Sequence, residues 1–133
     1  MSPSPVRPAA VDAWHEVVRT GDLERLEALL ADAVVFRSPA VHTPQEGRAT
    51  TTLYLRAALE VLGPHLTYHR QLWDEESAVL EFTTEVGGKQ VHGVDMLRWG
   101  PDDRLVEFTV MVRPLQGLTA LVDAMGAALR RLA

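Results

Sequence analysis

The residue whose chemistry is hardest to explain as ordinary folding is Asp95. It stands in Val91-His-Gly-Val-Asp-Met-Leu-Arg-Trp99, where the residues at alternate positions around it are Val91, Gly93, Leu97 and Trp99. Strand side chains alternate between faces, so this carboxyl shares its face with apolar residues only. A buried carboxylate costs several kcal/mol unless it is paired, hydrogen-bonded or protonated. Carboxyls perturbed in this way cluster where proton chemistry is done. Asp95 is therefore the first candidate for an acid, a base or a ligand's polar contact. The alternative is a structural pin, a buried acid hydrogen-bonded to backbone or to Trp14.

The other titratable groups separate by context. His65 and His69 have the spacing that chelates a metal on a helix, but they follow Gly63-Pro64 into a strand. There four residues span roughly 13 Å, too far for two ligands of one ion, and no metal is expected. His15 is expected at a helix surface beside Glu16. His92 has the opposite parity from Asp95 and should face away from it. Ser38 precedes Pro39 and reads as a turn residue, since no partner base is supplied for a nucleophile.

The elements that must position these groups divide the chain in two. Val11, Trp14, Val17 and Val18 recur at helical spacing, and Gly21 stops the helix. Asp22 is placed to N-cap a second helix whose apolar stripe is Leu23, Leu26, Leu29 and Leu30. Val34-Val35-Phe36 is a short strand closed by Ser38-Pro39, followed by a loop over 40–46. Residues 47–62 form a third helix ended by Gly63-Pro64. Four strands then cover 66–73, 78–86, 90–99 and 104–112, separated by turn clusters such as Gly87-Gly88. Residues 115–132 make a last helix.

Register decides which side chains surround Asp95. A four-residue loop from Gly100 to Asp103 sets Asp95 opposite Phe108 and gathers Leu80, Phe82, Phe108, Val110, Val112 and Val106 inside. A slip by one residue would bring Glu107 to Asp95 instead. The first register leaves Glu81, Met96, Arg98, Glu107, Met111 and Arg113 outside, a mixture suited to a wet sheet face or a dimer contact. In that register Glu107 and Arg113 belong to an outer ion-pair lattice with Arg98.

Composition bounds the rest. At 133 residues, 47% apolar and 23% charged, the chain is one globular domain over 10–133 behind a flexible leader over 1–9. A net charge of −5 argues against nucleic acid and acidic membranes as partners. No apolar run is long enough to span a membrane, and there is no apolar signal core. The absence of cysteine excludes disulfides and thiolate chemistry and suits the cytoplasm.

Several segments together resemble the nuclear-transport-factor-2-like superfamily, its SnoaL-like polyketide cyclase branch in particular. They are Thr20-Gly-Asp-Leu-Glu-Arg-Leu-Glu-Ala-Leu-Leu-Ala-Asp32, Phe36-Arg-Ser-Pro39, Gly47 before the third helix, Val94-Asp-Met-Leu-Arg98 and Val110-Met-Val-Arg-Pro114. The resemblance implies an α+β cone: a curved, mostly antiparallel sheet wrapped around three N-terminal helices, with a C-terminal helix. It is similar to ketosteroid isomerase through the Gly-Asp helix junction and the Val-Asp-x-x-Arg strand. By that similarity Asp95 falls where the isomerase keeps a protonated aspartic acid that hydrogen-bonds an oxyanion. The isomerase's general base falls on Ser38, its oxyanion-hole tyrosine on Trp14, and an aromatic wall position near Tyr54. Serine cannot shuttle a carbon proton near neutral pH, so the same mechanism is not expected. An epoxide hydrolase of this fold would want an arginine where Gly93 stands.

The expectation is a domain that binds a small, mainly apolar organic molecule in the cone without a cofactor. Asp95, with His42 from the loop over the mouth and Tyr54, would carry any catalysis by proton transfer. Trp14, Phe36, Ser38, Phe82, Phe108 and Val110 would line the ligand. A homodimer through the outer sheet face is expected. The competing class is a non-catalytic binding or scaffold domain in which Asp95 only orders the core.

Overall fold

The computed structural model describes residues 6–133. Helix α1 (Ala9–Thr20) buries Ala10, Val11, Trp14 and Val17 along one stripe and ends at Gly21, whose φ of 67° is the left-handed cap that glycine adopts without a Cβ penalty. Asp22 then caps α2 (Leu23–Leu29), its Oδ1 accepting from the backbone N–H of Glu24 at 3.0 Å and of Arg25 at 3.3 Å. Leu30, expected as the end of that helical stripe, instead opens strand β1 (Leu30–Arg37). Helix α1 begins one residue inside the expected leader; residues 1–5 of that leader lie outside the described residues.

The loop expected over 40–46 ends in a two-residue strand, β2 (Gln45–Glu46), paired with β1. Helix α3 (Arg48–Leu62) follows Gly47, and a single 3-10 turn (Gly63–His65) leads into β3 (Thr67–Trp73). Strands β4 (Ser77–Val86), β5 (Lys89–Trp99) and β6 (Leu105–Arg113) fall within a residue of their expected bounds, and α4 (Leu115–Leu132) closes the chain.

One six-stranded sheet runs β2-β1-β6-β5-β4-β3. All neighbours are antiparallel except β1 with β6, which are parallel because α3 and the β3–β5 meander lie between them in sequence. This is the expected α+β architecture. The inner face carries Leu80, Phe82, Leu97, Phe108 and Val110, all buried against α1 and α3. Helix α4 packs on α3 and on the sheet beside Gln90 and Val91. A Cβ at Gly117 would stand 2.5 Å from the Gln90 carbonyl oxygen, so only glycine permits this approach. Thr84 Oγ1 donates to the Leu62 carbonyl at 2.8 Å, pinning the end of α3 to the sheet.

Register shifts interrupt three pairings, one of them in β1 opposite β6, between Leu30 and Val35. Between β5 and β6 Trp99 pairs with Leu105, one residue later than a four-residue loop would give, and the pairing shifts by one more between Trp99 and Arg98, so Asp95 lies opposite Val110 and Leu97 opposite Phe108. The expected partner of Asp95 was Phe108. The displacement is two residues, which preserves parity and keeps Glu107 outside. The bulge also turns Leu105 fully inward and leaves Val106 half-buried, where an inward Val106 was expected. A further bulge lies in β3, between Tyr68 and Gln71.

Candidate functional site

Asp95 is only 5% exposed, in the middle of the central strand β5. Burial raises its carboxyl from the ordinary aspartate range to about 7, while a hydrogen bond from Tyr68 pulls the other way. Tyr68 Oη donates to Asp95 Oδ2 at 2.5 Å, and Trp14 Nε1 donates to Tyr68 Oη at 2.8 Å. The Tyr68 phenol is raised well above its usual range, first by burial and then by the neighbouring carboxyl. Trp14 thus reaches Asp95 through a phenol, not directly. The other carboxyl oxygen, Oδ1, has no hydrogen-bond partner among the described residues.

The space beside this chain of bonds is small and apolar. Trp14 walls it from α1; Leu55, Ala58, Leu59 and Leu62 from α3; Gly63 and Leu66 from the turn that follows; and Tyr68, Phe82, Asp95, Phe108 and Val110 from the sheet. Its volume is about 30 Å³, enough for a water or two and far below the several hundred Å³ of a formed organic-ligand pocket. The Trp14 indole stands edge-on to Phe108 with ring centres 4.7 Å apart, which fills much of the interior.

Four of the residues expected at the ligand, Trp14, Phe82, Phe108 and Val110, meet Asp95 around this cavity. Four others do not line it. Phe36 is buried one layer further along, its ring 5.9 Å from Tyr54 and 6.0 Å from Phe108. Tyr54 is half-buried on α3 beside that ring. Ser38 Oγ accepts from the Ala40 N–H at 3.0 Å, a turn interaction. His42 is exposed in the loop before β2. His15, expected at the surface, is half-buried: it is 2.6 Å from Gln71 Oε1, stands edge-on to Tyr68 at 5.0 Å, and is lowered by burial.

Tyr68 is the group that sequence reasoning did not single out. Strict alternation along β3 puts Tyr68 with Arg70 and Leu72, both strongly exposed. The bulge reverses parity, so Tyr68 faces Phe82 inside while Leu72 points out. The signal that could have found it is a phenol in the strand beside β4, whose apolar face needs a partner for Asp95.

The outer face of the same sheet has different chemistry. Glu81 receives Arg70 Nε at 2.8 Å and lies 2.8 Å from His92 Nε2; these bonds hold its carboxyl well below the usual carboxylate range. Arg113 donates to His92 Nδ1 at 3.2 Å, and since guanidinium only donates, His92 carries its proton on Nε2 toward Glu81. Glu107 is flanked by Arg37 and Arg98 at 3.7 and 3.9 Å. Leu72 at 62% and Met111 at 55% exposure lie beside this network, along a groove of about 460 Å³. Gly93 sits beneath it: a Cβ there would meet the Met111 carbonyl oxygen at 2.4 Å and Phe82 Cζ at 2.7 Å, so an arginine cannot stand at this position.

Among the described residues no cluster of three or more His, Asp or Glu is arranged to hold a metal, and no helix is long and apolar enough to cross a membrane.

Residues 11–108 match the model of the SnoaL-like domain. The chain belongs to that family, within the nuclear-transport-factor-2-like superfamily. This SnoaL-like domain is 40% identical to a steroid delta-isomerase from Pseudomonas aeruginosa, over 96% of each chain, with a TM-score of 0.87. A protein with a cystatin-like fold from Silicibacter pomeroyi DSS-3 is 30% identical over 90% of this chain and 84% of its own, with a TM-score of 0.83. A de novo designed protein with a curved β-sheet shares the fold alone, at 15% identity and a TM-score of 0.72 over 92% of this chain and 98% of its own. None of the curated proteins matches.

Proposed function

We propose that this SnoaL-like domain binds a small, mainly apolar organic molecule between α1, α3 and the sheet, with Asp95 as its principal polar contact and as the group that exchanges a proton with it. The observation that carries this reading is Asp95, a carboxyl on the wall of an apolar cavity whose Oδ1 has no hydrogen-bond partner among the described residues. A carboxyl poised at about 7 can hold or release its proton near neutral pH. The 40% identity to a steroid delta-isomerase supports a cofactor-free isomerase or cyclase chemistry. Ser38 stands where the isomerase-like pattern wants its base, and among the described residues the titratable groups lining the cavity are Asp95 and Tyr68. The chemistry therefore rests on Asp95 as the acid or base that exchanges a proton with the ligand's polar group, with Tyr68 hydrogen-bonded behind it.

The small cavity favours a second reading. A space of about 30 Å³ admits an organic ligand only if Trp14 or the end of α3 moves. In a sealed scaffold, Asp95 and Tyr68 would simply satisfy one another. A thermal-shift screen against apolar ketones, epoxides, lactones and polycyclic aromatics, on wild type and Asp95→Asn together, separates the two. A ligand at a hundred times its Kd stabilises by about 2.7 kcal/mol. Binding is supported by a shift in wild type that is absent in a folded Asp95→Asn. No shift with any compound, alongside a much less stable variant, selects the scaffold.

We also propose that two copies pair through the outer sheet face, where Leu72, Val79 and Met111 are exposed beside charges of both signs. Sedimentation should find a dimer that Met111→Lys dissociates; a monomeric wild type at all concentrations would end this proposal.

A further inference from the structure

The direction of the hydrogen bonds behind Asp95 follows from the chemistry of the groups. An indole N–H can only donate, so Trp14 makes the Tyr68 oxygen an acceptor at 2.8 Å. The single phenol proton is then left for Asp95 Oδ2, 2.5 Å away. When the carboxyl is ionised, two protons serve these two links and Oδ1 is a bare acceptor. When the carboxyl is neutral and the phenol keeps its bond to Oδ2, the added proton resides on Oδ1.

We propose that Trp14 and Tyr68 are positioning residues acting through Asp95: the donor-only indole commits the phenol's proton to Oδ2 and leaves Oδ1 as the single atom that meets a ligand's polar group. This rests on the reading of Asp95 as that contact. Its chemical consequence is a choice of ligand by protonation. The neutral acid takes a hydrogen-bond acceptor, a ketone or lactone oxygen, and the ionised acid takes a donor such as a hydroxyl. Because the phenol stands behind the carboxyl and is spent on it, a carbonyl here is held by one donor, not two.

Among the described residues nothing else competes for either link. From α1, besides Trp14, His15 faces the Tyr68 ring and is engaged by Gln71. Helix α3 and the turn after it present only apolar side chains and Gly63 to the cavity; β4 presents Phe82, and β6 presents Phe108 and Val110.

The test needs no ligand, so it can fail independently of ligand binding. The full chain, labelled at the aspartate carboxyl carbons and the indole nitrogens, is titrated by NMR from pH 5 to 9. In wild type the Trp14 indole resonance should move with the Asp95 carboxyl midpoint. The Trp99 indole, bonded to the Glu75 carbonyl at 3.0 Å, should stay still. Tyr68→Phe removes the one donor to the carboxyl, so its midpoint should rise by about one pH unit and the Trp14 indole should cease to follow it. Trp14→Phe should raise the midpoint by less, since Tyr68 keeps its bond and loses only the donor that polarises it. The proposal is overturned if the wild-type Trp14 indole shows no inflection at the carboxyl midpoint. It is equally overturned if both variants melt lower while the midpoint stays where it was.

Discussion

Asp95 and Glu81 are carboxyls on adjacent strands of one sheet, at paired positions one step apart: Leu80 opposes Asp95, and Glu81 opposes Val94. Their chemistry is opposite. Asp95 faces in, where burial favours its neutral form and lifts it to about 7. Glu81 faces out, where Arg70 and His92 favour its charge and hold it low. The lesson is that side of the sheet, more than residue type, decides whether a carboxyl is a proton-exchanging group or a fixed charge. The inner face holds one acid with one donor among hydrocarbon. The outer face spreads its charges over a wet lattice of arginines.

The comparison can be pressed hardest by cutting the inner face. Phe108 is fully buried against Trp14 and Phe36, so Phe108→Ala should cost about 3–5 kcal/mol in urea denaturation. A loss no greater than that of an exposed outer residue would mean the inner face is not the packed core described here.

Asp95→Asn tests the carboxyl itself. The native state holds this proton to about 7, whereas the unfolded chain releases it near 3.8. Between those values the native state binds more protons, so this group's stabilisation is full at low pH and is lost as pH rises toward 7. Three pH units correspond to at most about 4 kcal/mol. The asparagine variant has no such slope, so its stability relative to wild type should climb from pH 4 to 7 and exceed it above neutrality. An equal loss at every pH would identify Asp95 as a structural pin.

Glu81→Gln should show the smallest effect, with the opposite sign of pH dependence. A carboxylate whose folded pKa is depressed stabilises above its unfolded pKa and loses that contribution as pH falls through the folded value. Exposed ion pairs contribute little, so the variant should differ slightly from wild type at neutral pH and converge with it in acid. A large loss would place the outer network among the structural determinants of the fold.

Much of this was legible in the chain. The alternation around Asp95 gave its face, the Gly21-Asp22 junction gave the cap between two helices, and Gly63-Pro64 gave the end of the third. Parity arguments hold wherever a strand is regular, because period-two geometry is local. They held for Asp95, His92 and Glu107, since a two-residue displacement between β5 and β6 leaves every side chain on its own side. They failed for Val106, because a bulge adds one residue and reverses the alternation beyond it, and the bulge in β3 turns Tyr68 inward in the same way.

The sequence by itself determined the element order, the placing of a carboxyl on an apolar face and the absence of thiol chemistry, all of which follow from residue type and short-range spacing. Only the tertiary structure decided that Tyr68 supplies the Asp95 hydrogen bond, that Trp14 stands behind it, and that the enclosed space is about 30 Å³. Those depend on where residues 54 and 27 positions apart come to rest, and side-chain packing across three elements is not written in any local period.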